Sequence, residues 1–157
     1  MTKVKHYTGD IVRDGDTIFV FGSNPEGRHG AGAARVALTK FDAKYGKGEG
    51  LQGYSYAIPT KDLRINLNKG YRSIPREKII QSIKNMYSTA ETYFAMKFCI
   101  AYRNTDKRSL NGYTGLEMAQ MFIDAGPIPE NVYISEEWAK TGLFDNVQIK
   151  KSKFKID

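Results

Sequence analysis

The hydrophobic pattern along the chain switches repeatedly between strand-like runs and helix-spaced stripes. DTIFVF, residues 16–21, is a near-continuous apolar run bounded by Gly15 and Gly22, which predicts a buried strand. After a glycine-rich turn, Ala33, Val36, Ala37 and Phe41 recur at helical spacing and predict a helix ending at Gly46. YSYAIPT, residues 54–60, reads as a second strand stopped by Pro59. A polar loop, residues 62–73, leads to a long helix starting at Pro75, with a stripe of Ile79, Ile80, Ile83, Met86, Tyr87, Ala90 and Phe94. KFCIAY, residues 97–102, is apolar nearly throughout, as an inner strand covered on both faces would be. Thr114 and Glu117 match a capping box, opening a helix whose apolar face is Leu116, Ala119, Phe122 and Ile123 and which Gly126 and Pro127 terminate. NVYIS (131–135) reads as a strand, a short helical segment surrounds Trp138, and FDNVQIK (144–150) closes the pattern.

Strands alternating with helices predict the α/β class: a three-layer α/β/α sandwich on a mixed, largely parallel central sheet. No repeat or linker divides residues 1–157, so a single domain is expected, with residues 148–157 as a basic C-terminal strand or tail. In such folds ligands sit beyond the carboxyl ends of the strands.

Composition narrows the function classes. At 41% hydrophobic and 26% charged residues the chain is that of a folded protein, and no window reaches the roughly 18 apolar residues of a membrane span. The first ten residues lack the apolar centre of a signal peptide. Cys99 is the only cysteine and reads as a core residue, which suits the reducing cytoplasm. With His6 and His29 as the only histidines, neither a metal site nor a cofactor is expected. The net charge of +7 points to anionic partners. Its densest run, KKSKFK (150–155), reads as a solvated tail; no nucleic-acid motif accompanies it, so nucleic acid is the rival partner to a small phosphorylated ligand.

Candidate chemistry gathers at two loops. GSNPEGRHGAGAA, residues 22–34, lies between the first strand and first helix, where unpaired N–H groups and the helix dipole favour anions and glycines let a ligand approach the main chain. It is neither GxGxxG nor a P-loop, which argues against nicotinamide cofactors and ATP hydrolysis. RNTDKRSLNGYTG, residues 103–115, stands in an analogous place after the third strand. Two such loops from neighbouring strands would grip an extended diphosphate between them.

In order along the chain, YTGDIV (7–12), a strand ending in Asn24, GAGAA (30–34), YAIPTK (56–61) and SLNGYTGLEMAQMF (109–122) together resemble the macrodomain family, in particular macrodomain-like proteins of large tailed bacteriophages. The resemblance implies binding of ADP-ribose or a derivative, or of an ADP-ribosylated macromolecule, in the host cytoplasm if the chain is phage-encoded. It implies that Asp10 accepts a hydrogen bond from the adenine amino group with Ile11 beside it, and that Asn24 contacts the distal ribose. Gly30, Ala31 and Gly32 would run along that ribose and the diphosphate, with Asn111, Gly112, Tyr113 and Thr114 cradling the other side. The family includes plain binders, ADP-ribose 1″-phosphate phosphatases and ADP-ribosyl hydrolases. Lys61 matches the strand-end lysine that attacks the distal ribose in one hydrolase type; Asn24, His29 and Asp106 are the other catalytic candidates. FGSN replaces the family's usual Asn-Ala-Ala-Asn, and the second loop is longer than its compact Gly-Cys-Gly form. Each assignment has a structural alternative: Asp10 capping a turn, Asn24 holding its own loop, His29 packing it, Tyr113 a buried aromatic, Lys61 an exposed loop lysine. The whole-protein alternatives are a nucleic-acid-associated protein and an inert interaction module.

Overall fold

Along the first inner strand, Ile18 and Val20 face one side and Phe19 and Phe21 the other, and each pair enters a different hydrophobic cluster. A strand buried on both faces belongs to a three-layer structure, and the computed structural model, which describes residues 3–64 and 72–152, has that architecture. Its elements run β1 (Lys5–Tyr7), β2 (Thr17–Ser23), α1 (Gly32–Lys40), β3 (Gly50–Gln52), β4 (Ser55–Pro59), α2 (Arg76–Thr92), β5 (Lys97–Ile100), α3 (Gly115–Asp124), β6 (Ile128–Pro129), β7 (Val132–Ser135), α4 (Glu136–Ala139) and β8 (Ile149–Lys150). Six strands form the central sheet in the order β1-β7-β5-β2-β4-β3. All neighbours pair in parallel except β3 with β4, so the sheet is mixed and largely parallel. Strands β6 and β8 form a separate small ribbon.

One face of the sheet is covered by α2 and α3. Ile79, Ile83 and Met86 from the former, and Met118, Met121 and Phe122 from the latter, pack fully buried over Val20, Ile58 and Ile100. The other face is covered by α1 through Ala34 and Ala37, with Phe19 stacked on Phe41 at a ring separation of 4.6 Å. Each such buried aromatic or aliphatic side chain contributes about 1.5–3 kcal/mol of hydrophobic stabilisation.

Several boundaries differ from the sequence expectation. Helix α1 ends at Lys40, not Gly46: the N–H groups of Phe41 and Ala43 both return to the Ala37 carbonyl, with Asp42 left-handed at φ 59° between them. That closure turns Phe41 into the core. Phe94 lies past the end of α2 and is exposed. In α3, Met118 and Met121 are buried and Leu116 and Ile123 only half-buried. The edge strands β1 and β3 were not expected from the pattern. Of the 62–73 loop, residues 65–71 lie outside the described residues, as do residues 153–157 of the basic tail.

The connections fix where a ligand would sit. From β2 the chain crosses by α1 to β3 and β4 on one side; from β5 it crosses by α3 to β7 on the other. The helices α1 and α3 cover opposite faces, while β2 and β5 are parallel neighbours. Their carboxyl ends therefore define a topological switch point, the place in an open sheet where a crevice forms.

Candidate functional site at the switch point

Three strand ends meet at the switch point. Tyr102, just beyond β5, reaches across Gly22 of β2 toward Thr60 at the end of β4: a Cβ on Gly22 would lie 2.1 Å from its hydroxyl oxygen and 3.3 Å from Thr60 Oγ1. Only glycine admits that crossing. The phenol lies within hydrogen-bonding reach of Thr60 and Asn111, and its burial raises its pKa to about 12, so it stays a neutral donor. Beneath it the ring stacks on Trp138, centroids 6.0 Å apart.

In the first loop, residues 24–31, the glycines divide into two sets. A Cβ on Gly27 would sit 2.2 Å from the Gly46 carbonyl carbon, and the Gly46 N–H donates to the Gly27 carbonyl at 2.8 Å. Gly48 packs as tightly on the Asn24 carbonyl, 2.1 Å from a would-be Cβ. These glycines lock this loop to the segment preceding β3. His29 contributes to the same lock. It is fully buried, its Nε2 lies 3.0 Å from the Lys47 carbonyl, and its ring meets Phe21 edge-on. A carbonyl only accepts, so Nε2 carries the proton and Nδ1 is left a buried acceptor without a partner among the described residues. Asn24 also serves its own turn, its Oδ1 accepting from the Arg28 N–H at 2.8 Å and its Nδ2 donating to the Arg28 carbonyl at 3.0 Å.

Gly30 and Gly32 behave differently. Both are exposed, and a Cβ on either would meet nothing within 4 Å. Gly32 has a backbone reason to be glycine, a φ of 58°; Gly30 has none. They flank Ala31, the N-cap of α1, whose backbone is extended and whose methyl caps nothing. No acidic residue lies in the first turn. The opening N–H groups of α1 and its dipole are therefore exposed without a side-chain partner.

The second loop is closed by its own residues. Asn111 is buried, its Oδ1 accepting from the Tyr113 N–H at 2.9 Å and from Ser109 Oγ at 2.6 Å. The Gly112 carbonyl accepts from Arg72 Nε at 3.0 Å and Arg108 Nη1 at 2.5 Å. Tyr113 is a packed aromatic whose hydroxyl donates to the Ile74 carbonyl at 2.8 Å, with the Arg72 guanidinium over its ring. Thr114 caps α3 in a complete capping box with Glu117.

The remaining candidates line the same carboxyl edge. Asp10 and Ile11 follow β1; Asp10 is fully exposed with the Arg103 guanidinium 3.8 Å away, and Ile11 is half-buried against the α1 side. Lys61, half-buried, follows β4, and Asp106 is exposed on the second loop. Close after Lys61 in the chain, Arg64 holds Asp62 at 2.9 Å and reaches Glu26 of the first loop at 3.3 Å, the latter a contact the sequence did not disclose. Hydrogen bonds from Arg64 hold the Asp62 carboxyl well below the usual carboxylate range. Arg103, Tyr102 and Gly22 were also missed, although each adjoins the carboxyl end of a predicted strand, which is the signal that could have found them. Among the described residues no group of side chains could hold a metal ion, and no helix is long and apolar enough to cross a membrane.

The fold thus defines an α/β/α protein whose switch point is bounded by one uncapped and one capped helix. No family model, curated protein or solved structure matches the chain.

Proposed function

We propose that the protein binds ADP-ribose or an ADP-ribose derivative at the switch point, with its diphosphate on the bare first turn of α1. The observation that carries this reading is Gly30, a glycine required by neither packing nor backbone angle among the described residues, beside a helix end with no side-chain cap. Close approach of an anion to the main chain explains both. Asp10, exposed on the same carboxyl edge beside Arg103, suits the adenine amino group. The second loop forms a wall rather than a second phosphate grip, since Asn111 is engaged within the loop, Tyr113 by the Ile74 carbonyl and Thr114 by the α3 cap. Hydrolysis is a further step that rests on Lys61 with Asp106 as the assisting candidate; His29, fully buried and bonded to the Lys47 carbonyl, serves the loop instead. The lone thiol is buried and unpaired, in keeping with a cytoplasmic setting.

The test separates binding from folding. Ala31 has N-cap geometry, so Ala31→Asp supplies the missing cap and stabilises the protein by about 0.5–2 kcal/mol. The same carboxylate occupies the anion position, so ADP-ribose affinity measured by calorimetry falls at least about tenfold, a loss of roughly 1.4 kcal/mol. Gly30→Ala leaves the melting temperature unchanged or slightly higher while weakening the same binding. Full ADP-ribose affinity in both variants, or no heat with the wild type, sinks the proposal. Lys61→Ala tests the chemistry separately, abolishing release of phosphate from ADP-ribose 1″-phosphate or of ADP-ribose from a modified carrier if the lysine acts.

A further inference from the structure

A second cleft lies away from the switch point, between the carboxyl half of α2 and the β6–β8 ribbon, and it owes nothing to the ADP-ribose reading. It has a volume of about 610 Å³, and a smaller cavity of about 240 Å³ shares Glu91, Lys150 and Lys151 with it. Volumes of this size are those of binding clefts. The floor is apolar, made by Tyr87, Pro127 and Ile149; the Tyr87 hydroxyl is already bonded to the Phe122 carbonyl, so it offers its ring alone. Cations stand on both walls, Lys84 on the helix and Lys150 with Lys151 on the ribbon. One ion pair, Glu91 with Lys150 at 2.6 Å, joins the walls between the two cavities.

We propose that this groove receives an extended, acidic segment of a partner protein that carries apolar side chains. The lysines select negative charge: Lys84, Lys150 and Lys151 outnumber the two carboxylates that line the cavities, Glu91 and Glu130, so the excess stays positive. The floor selects against nucleic acid, whose sugar-phosphate backbone brings no apolar side chain to cover Pro127 and Ile149. Two adjoining cavities, sharing Glu91, Lys150 and Lys151 along one side of α2, favour an extended chain over a compact ligand.

Fluorescence anisotropy with labelled probes tests this on the full chain. The probes are a short peptide alternating Glu and Leu, a peptide of equal charge alternating Glu and Ser, and an oligothymidylate of equal charge. The Glu-Leu peptide binds at least about tenfold tighter than either comparator, because only it buries side chains on the floor. Lys84→Gln and Lys151→Gln each weaken it about threefold. Glu91→Gln acts in the opposite direction and tightens it, by removing a like charge. Thermal melts of the exposed lysine variants match the wild type, excluding unfolding as the cause. Absence of binding, equal binding of the Glu-Ser peptide or the oligothymidylate, or indifference to the lysine substitutions overturns the proposal.

Discussion

Replacing Gly22 by alanine is the sharpest probe of how the strand ends are packed at the switch point. In the interior of a strand, Gly→Ala ordinarily stabilises by roughly 0.5–1 kcal/mol, because the unfolded glycine has more freedom to lose. Here the added Cβ would stand 2.1 Å from Tyr102 Oη and 3.0 Å from Cζ. Ordinary contact requires about 3.5 Å, so the phenol must withdraw by more than about 1 Å. It cannot withdraw freely, because its ring is stacked on Trp138 and packed on Phe122. Overpacking of this kind costs about 1–3 kcal/mol. Drawing the hydroxyl away from Thr60 and Asn111, the polar groups within its reach, adds up to about 1 kcal/mol. The expected net destabilisation is about 2–4 kcal/mol, read as a fall of roughly 5–15 °C in melting temperature for a chain of this size. Tyr102→Phe removes the hydroxyl and alone costs about 1–2 kcal/mol. In the double variant the methyl faces ring carbon at 3.0 Å rather than oxygen at 2.1 Å, a gap that shifts of a few tenths of an ångström relieve. The double variant is therefore more stable than the sum of the singles predicts, by at least about 1 kcal/mol. Chemical denaturation of the four proteins measures this cycle. Strict additivity, or a stabilising Gly22→Ala, would refute the crossing of Tyr102 over β2.

Asn131 Nδ2 donates to the carbonyls of Ala90 and Met96, each at 2.9 Å, and Tyr93 at 3.2 Å, closing the end of α2; Asn131→Asp turns the donor into a carboxylate facing three carbonyls. Its unfolding free energy falls by about 2–3 kcal/mol, more than for Asn131→Ala. The Glu117 carboxylate is held below its ordinary pKa of 4.5, first by the Thr114 N–H and then by Arg72. A depressed acid contributes stability that is fully present above the unfolded pKa and lost as pH falls through the folded one, so the deficit of Glu117→Gln in thermal melts should shrink as pH drops below about 4.5. Burial raises the Cys99 thiol to about 12, so an aromatic disulfide reagent at pH 8 should react with it only at the rate of unfolding; rapid reaction of the native protein would contradict that burial.

The inner strands were legible because both their faces are apolar: DTIFVF and KFCIAY announce β2 and β5 without any alternation to decipher. The capping box of α3 was legible for a similar reason, since Thr114 and Glu117 are local partners that need no tertiary context. Edge strands hid because burial barely touches them. Lys5, His6 and Tyr7 pair with β7 while remaining largely exposed, so no periodicity marks them. The end of α1 hid because a left-handed Asp42 stops it, where glycine would have been the usual signal. At the carboxyl edge, the sequence pattern anticipated two strand-to-helix loops but not which of their residues bond within the protein. Asn24 and Tyr113 carry the residue types of ligand contacts, yet their bonds go to Arg28 and Ile74. Glycines look alike in sequence: that Gly27 packs, Gly22 yields to Tyr102 and Gly30 does neither depends on residues distant along the chain.

That division bears on stability as well as binding. Two helices open on a side-chain cap: Thr114 with Glu117 at α3, and Ser135 accepting from the Trp138 N–H at α4; α2 opens on Pro75 without one but places Glu77 in its first turn. At α1 the chain places alanine in a backbone conformation that serine or aspartate would occupy with a gain of about 1 kcal/mol. Natural sequences break such local rules mainly where function requires it. The break falls at the carboxyl edge, beside the one strand pair whose helices depart to opposite faces, and next to the glycine that packing leaves unexplained. Topology, capping and glycine placement are independent features of the chain, and all three converge on the first turn of α1.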